Sequence, residues 1–169
     1  MTKELIKKIV DELKEDSLPR KVVNYEKGIP TLQKDFYRAP SPMLDIRYSL
    51  LGGWEDSTHG DWLDTYEMEV FWSDEGNDTR LKEIRNNVFS AIKNWTNDAG
   101  SLFKENRVSI FAASNYTFER VYLIWLDYID EPEIWVYDSN GRAIYKNLDL
   151  YLTAYLDDDL SAYSMKEYL

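Results

Sequence analysis

The stretch Glu133-Ile134-Trp135-Val136-Tyr137-Asp138-Ser139-Asn140-Gly141-Arg142-Ala143-Ile144-Tyr145-Lys146 decides the fold. β-Branched and aromatic residues dominate both sides of Asn140-Gly141, and such side chains suit a pleated, packed surface. Asn-Gly is the signature of a two-residue hairpin, because both loop positions then require positive φ. A loop of that length sets Tyr137 opposite Ile144 and Val136 opposite Tyr145. It predicts antiparallel strands over 133–138 and about 142–146.

Working upstream, 107–113 (Arg-Val-Ser-Ile-Phe-Ala-Ala) and 119–127 (Glu-Arg-Val-Tyr-Leu-Ile-Trp-Leu-Asp) read as two more strands. In the second, Val121, Leu123 and Trp125 point one way and Tyr122, Ile124 and Leu126 the other. A half-solvated strand would alternate apolar with polar, so this sheet is covered on both faces. The cover comes from the chain's own helices or, in part, from a partner.

Helices are available for that role. Over 2–15, Leu5, Ile6, Ile9, Val10 and Leu13 share one face, with Thr2 as the expected cap and Pro19 beyond the end. Over 79–96, Leu81, Ile84, Val88, Ile92 and Trp95 step by three and four residues behind Asp78, the expected N-cap. Asn97-Asp98-Ala99-Gly100 ends that helix. Asn147 caps a last helix, with Leu148, Leu152 and Tyr155 on one side. The expected fold class is α+β, a mainly antiparallel sheet flanked by helices.

Between these elements the signals are weaker. Residues 18–43 are punctuated by Pro19, Pro30, Pro40 and Pro42, with a short helix expected at 31–38. An element of undetermined type over 43–51 stops at Gly52-Gly53. Residues 54–65 read as a loop, 66–72 as a strand, and 74–78 as a turn.

The chain has 169 residues, 44% of them apolar and 15% aromatic, which suits one domain with a real core. Its formal net charge of −11 comes from 31 acidic and 20 basic residues. The negative charge lies toward the C-terminus, where 127–169 form its most acidic part and 157–169 read as an acidic tail. Such a field repels phosphate backbones and argues against direct nucleic-acid binding. A basic protein is its natural partner, attracted over about 8–10 Å at physiological salt, although acidity also serves solubility. There is no cysteine, so disulfides, thiolate catalysis and Cys-based zinc sites are excluded. Met1-Thr2-Lys3-Glu4-Leu5-Ile6-Lys7-Lys8 contains no apolar signal-peptide core, and no apolar run approaches the roughly 20 residues that span a bilayer. The expected location is the cytoplasm, with no membrane contact.

Ile110-Phe111-Ala112-Ala113-Ser114-Asn115, Tyr122-Leu123-Ile124-Trp125-Leu126-Asp127, Glu131-Pro132-Glu133-Ile134-Trp135-Val136-Tyr137-Asp138 and Leu148-Asp149-Leu150-Tyr151-Leu152 together resemble the SUKH superfamily. That superfamily groups bacterial immunity proteins with fungal Smi/Knr-type cell-wall regulators. The likeness spans roughly 36–156, with Pro40 to Gly53 in the place of the family's Leu-Pro and Asn-Gly-Gly segments and Leu51 where Asn is common. The resemblance implies helices around a mainly antiparallel sheet and a non-enzymatic role, most often the neutralisation of a protein toxin.

Other constellations carry less chemistry. His59, the one histidine, lies beside Asp56 and Asp61, where it reads as a solvated loop residue rather than an acid–base group or metal ligand. Asp157-Asp158-Asp159 and the acids of 74–78 lack the spacing of a calcium loop. Glu67 and Glu69 are a carboxylate pair of the kind used by hydrolases, but no nucleophile-elbow, Walker or dinucleotide motif accompanies them. The expected catalytic, cofactor and metal residues are therefore none. The candidate surface for a partner is the loop carrying Trp54, Glu55, Asp56, Asp61, Trp62, Asp64 and Tyr66, since aromatics anchor interfaces and acids steer basic partners. The alternative for Trp54 and Trp62 is the core. The function expected is an immunity protein or antitoxin that sequesters a basic, possibly nuclease, toxin. The alternatives are a regulatory adaptor for a cellular protein and a carboxylate-based hydrolase; composition leaves the oligomeric state open.

Overall fold

The computed structural model describes residues 1–23, 26–72, 78–93, 104–139 and 141–158. In chain order the elements are α1 (Thr2–Leu13), β1 (Ile29–Pro30), β2 (Tyr37–Arg38), α2 (Pro42–Leu50), β3 (Asp61–Trp62), α3 (Thr65–Glu69), α4 (Thr79–Lys93), β4 (Val108–Ala113), β5 (Arg120–Ile124), β6 (Glu133–Asp138), β7 (Gly141–Tyr145) and α5 (Leu148–Asp157). Short 3₁₀ turns occupy Val70–Trp72 and Glu105–Arg107.

Strands β3 to β7 form one antiparallel sheet in chain order, so each strand lies beside its sequence neighbour. The fold is α+β with a mainly antiparallel sheet, as the sequence predicts. Every residue of β4, and Val121 to Ile124 of β5, is buried, so both faces are covered. Tyr145 meets Tyr151 of α5 with ring centroids 5.5 Å apart, which turns one face toward α5. From the other face, Arg120 and Tyr137 line a groove with Asn87, Ser90 and Ala91 of α4. A bulge between Ile110 and Ala112 inserts Phe111 as an extra residue in β4.

The β6–β7 pairing differs from expectation by two residues: Val136 faces Ala143 and Trp135 faces Ile144. Asp138 pairs with Gly141, which puts the positive φ of 110° on a paired residue. Asn140 itself lies outside the described residues. A two-residue shift conserves the face of every side chain, so the packing predicted for the hairpin is unaffected.

Three further expectations are corrected. Thr2 does not cap α1; it lies inside the helix, and its hydroxyl donates to Asp149 Oδ1, tying α1 to α5. Residues 31–38 are not helical. Thr31 N donates to Phe36 O at 3.0 Å, Asp35 takes φ 61°, and the chain doubles back so that Ile29–Pro30 pairs with Tyr37–Arg38. Residues 66–72 are not a strand, because Asp64 and Glu67 form a capping box: Glu67 N donates to Asp64 Oδ1 at 2.8 Å and Asp64 N to Glu67 Oε1 at 3.2 Å. These two reciprocal bonds satisfy the amides of Asp64 and Glu67 at the helix start and outweigh a short alternating pattern.

Asp78 caps α4 as expected, accepting from the amides of Arg80 and Leu81, and Leu81, Ile84 and Val88 are buried. Trp95, the terminating 97–100, the turn residues 74–77 and the tail beyond Asp158 lie outside the described residues. The undetermined element over 43–51 is helix α2, started by Pro42 in its first turn.

Candidate functional site

The loop after α2 folds inward. Trp54 and Trp62 exchange backbone hydrogen bonds at 2.9 and 2.8 Å, and their rings meet edge-on with centroids 5.2 Å apart. Both are 0% exposed, so the expectation that they anchor a partner is corrected: they are core. Trp62 also packs on Phe111 at 4.9 Å, where the bulge presents that ring. Beneath them lies Arg47, fully buried, with its guanidinium 4.5 Å from the Tyr48 ring centroid and 5.1 Å from that of Trp62. It donates to the carbonyls of Leu51 and Leu63. Burial pushes its pKa down, against the opposing charges of Tyr48, Asp64 and Glu67. The aromatic faces and two carbonyls stand in for water around a cation that the core would otherwise reject.

The acids of the loop are also engaged internally. Arg80 of α4 donates to Asp61 Oδ2 at 2.7 Å and to Glu67 Oε2, and its Nε lies 3.5 Å from Glu55. Arg20, arriving on the segment after α1, reaches Glu67 at 2.7 Å and Glu55 at 3.2 Å. A Cβ on Gly53 would sit 2.0 Å from the Arg20 guanidinium, so glycine there leaves room for this contact. Burial raises the pKa of Asp61 and of Asp64. Burial also works against charge on Arg80, but Glu67 and Asp61 outweigh it and hold its pKa above the ordinary value. Asp61 and Asp64 are thus buried structural groups, not a steering surface, which corrects their expected role. Glu55 keeps half its side chain in solvent. Asp56 accepts from the Tyr116 hydroxyl at 2.7 Å. Tyr66 is exposed on the rim of a groove of about 240 Å³ that also involves Tyr37 and Glu69.

His59 is buried, contrary to the solvated reading. Its Nδ1 lies 2.7 Å from the Tyr151 hydroxyl and its Nε2 3.3 Å from Asp138 Oδ2. Tyr151 in turn meets Thr58 at 2.6 Å, and Thr58 accepts from the Trp62 indole. The chain of polar groups pins the loop between the end of β6 and α5. Burial lowers the His59 pKa, only partly opposed by Asp138. Glu67 and Glu69 are separately engaged, the first by the two arginines and the second by the Tyr37 hydroxyl. Among the described residues, no three His, Asp or Glu side chains gather to hold a metal ion. No helix among them is long and apolar enough to cross a membrane.

Besides Tyr66 and Tyr128, two further exposed aromatics lie together on the turn joining β4 to β5. Tyr116 is 73% and Phe118 84% exposed. With Asn115, Thr117, Arg120 and Tyr137 they border a groove of about 520 Å³ against α4. The turn is held firmly. Ser114 Oγ accepts from the amides of Tyr116 and Thr117, Ser114 N donates to Glu119 O, and Arg120 donates to Phe118 O. Large apolar rings held out in water by a braced turn lose little entropy when something covers them. In the sequence alone, Asn115-Tyr116-Thr117-Phe118 reads as a connection between two strands. The available signal was two bulky aromatics in a short turn between strands that were already apolar on both faces. Compared with protein-family models, curated proteins and solved structures, the chain matches none of them.

Proposed function

We propose that this protein sequesters a basic protein partner, as an immunity protein does its cognate toxin. One observation carries the reading: Tyr116 and Phe118 stand in solvent beside a groove, on a turn braced by its own hydrogen bonds. Aromatic side chains in that setting serve as interface anchors. The net charge of −11 favours a cationic partner, and a nuclease toxin, itself basic to hold its substrate, fits that field. The resemblance to the SUKH superfamily points to a protein toxin as the partner, and the location proposed is the cytoplasm. Of the carboxylate pair that a hydrolase would need, Glu67 is held by Arg20 and Arg80 and Glu69 by the Tyr37 hydroxyl, which favours binding over catalysis.

The test is co-expression with toxin domains encoded beside the gene. The expected result is a stable complex on co-purification and survival of cells carrying the toxin. A standard interface would bury about 1,600 Å² in total, enough to extend from the Tyr116 turn across neighbouring surface. Toxins from the neighbourhood that are neither held nor neutralised would refute the reading.

A further inference from the structure

The groove between α4 and the β4–β5 turn has a lining that restricts what it can hold. Its lining is neutral and hydrogen-bonding at Asn87, Ser90, Asn115 and Thr117, and it carries the two exposed rings. Among the described residues of the lining the basic side chain is Arg120, whose guanidinium lies 5.3 Å from the Tyr137 ring centroid and donates to Phe118 O.

Carboxylates surround the turn. Asp56 holds the Tyr116 hydroxyl at 2.7 Å, and Glu83 of α4 accepts from the Asn115 amide at 3.2 Å. The hydrogen bond to Asp56 raises the Tyr116 pKa, and the charges of Asp56, Asp61 and Glu119 add to the rise. Burial pushes the Glu119 carboxyl up, and so do the charges of Asp138 and Asp56. The carboxylates of Asp56 and Glu83, bonded to Tyr116 and Asn115, place negative charge beside the turn. A phenyl ring in such a field attracts cations to its face and repels anions.

On the sequestration reading above, we infer that this groove receives an extended basic segment of the partner. An Arg or Lys of that segment stacks on Phe118 and Tyr116 within reach of Asp56 and Glu119, while the amides of Asn87 and Asn115 meet its main chain. Guanidinium suits the rings best, since its flat, weakly hydrated face loses little water on stacking.

The experiment uses the intact ¹⁵N-labelled protein and two capped peptides, one alternating arginine with leucine and the other glutamate with leucine. The arginine peptide is expected to shift amides within 87–91 and 115–120, and its affinity to fall several-fold as salt screens the acids. The glutamate peptide is expected to leave the spectrum unchanged. Phe118→Ser should weaken arginine-peptide binding about tenfold while leaving the melting temperature in place, because the ring touches mainly water. Glu119→Gln and Asp56→Asn should each weaken it and flatten the salt dependence.

No response to the arginine peptide, equal response to the glutamate peptide, or shifts centred elsewhere would overturn the inference. The two readings fail separately. A toxin captured equally by wild type and Phe118→Ser overturns the groove assignment and leaves sequestration standing. Arginine-peptide binding in the groove without capture of any neighbouring toxin supports the groove assignment and removes the sequestration reading.

Discussion

Replacing Arg80 by Ala tests how the loop is held to α4. The Arg80 side chain is 19% exposed, while the carboxylates it pairs, Asp61 and Glu67, are 5% and 6% exposed. Removing one partner of a buried pair costs about 3–5 kcal/mol, because the other charge is left unsolvated. Here Glu67 keeps Arg20 at 2.7 Å, and Asp61 keeps the amide of Asp56 at 2.8 Å. Those remaining partners place the expected loss at the lower end, about 3 kcal/mol near neutral pH. For a chain of this size that is a fall of about 6–12 °C in melting temperature.

The loss should shrink on acidification. Burial already raises the Asp61 pKa in the folded protein, and losing Arg80 raises it further. A folded-state pKa above the unfolded one means that the fold binds more protons than the unfolded chain in the window between them. Stability therefore rises as pH falls through that window, and the variant gains on wild type. The assay is urea unfolding followed by tryptophan fluorescence, wild type against variant, at about pH 7 and about pH 4.5. A difference below about 1 kcal/mol at neutral pH would refute the argument, as would a difference that grows in acid. Arg20→Ala supplies the contrast: its side chain is 45% exposed, and solvent screening limits the expected loss to about 1 kcal/mol.

Because burial depresses the His59 pKa, its contribution to stability is complete above the unfolded value, about 6.5, and declines as pH falls toward the folded value. His59→Phe should remove that part of the acid slope, and an unchanged slope in stability against pH would refute the assignment. Gly60→Ala should cost about 2–4 kcal/mol in urea unfolding, since φ is 79° and the new Cβ would lie 2.5 Å from the Ala113 carbonyl carbon; a neutral result would show that the loop can move off β4. Asp64→Ala should cost about 1 kcal/mol by loss of the capping box, read in the same assay, and no change would mean that α3 is held by Arg20 and Arg80 alone.

The sheet was legible because its information is local. Runs such as Val121 to Ile124 state their own burial on both faces, Asp78 and Asn147 mark helix starts through side chains that bond amides two or three residues on, and a Gly next to Asn announces a reversal. Even the error at the hairpin kept each side chain on its face. The surface was not legible in the same way. Trp54 and Trp62 in an acidic loop have the composition of an interface, yet Trp62 packs on Phe111, far along the chain and presented at the bulge in β4, and on Arg47 of α2. The same holds for Asp61 and Glu67, whose charges are answered by arginines 19 and 47 residues away.

What the sequence determined alone is the antiparallel sheet, its helical cover and the acidic field, since periodicity, capping and net charge are properties of neighbouring residues or of simple sums. Which aromatics face water was decided only in three dimensions. Exposure is the remainder left after every distant segment has packed, and it left Tyr116 and Phe118 outside while drawing Trp54, Trp62 and His59 in.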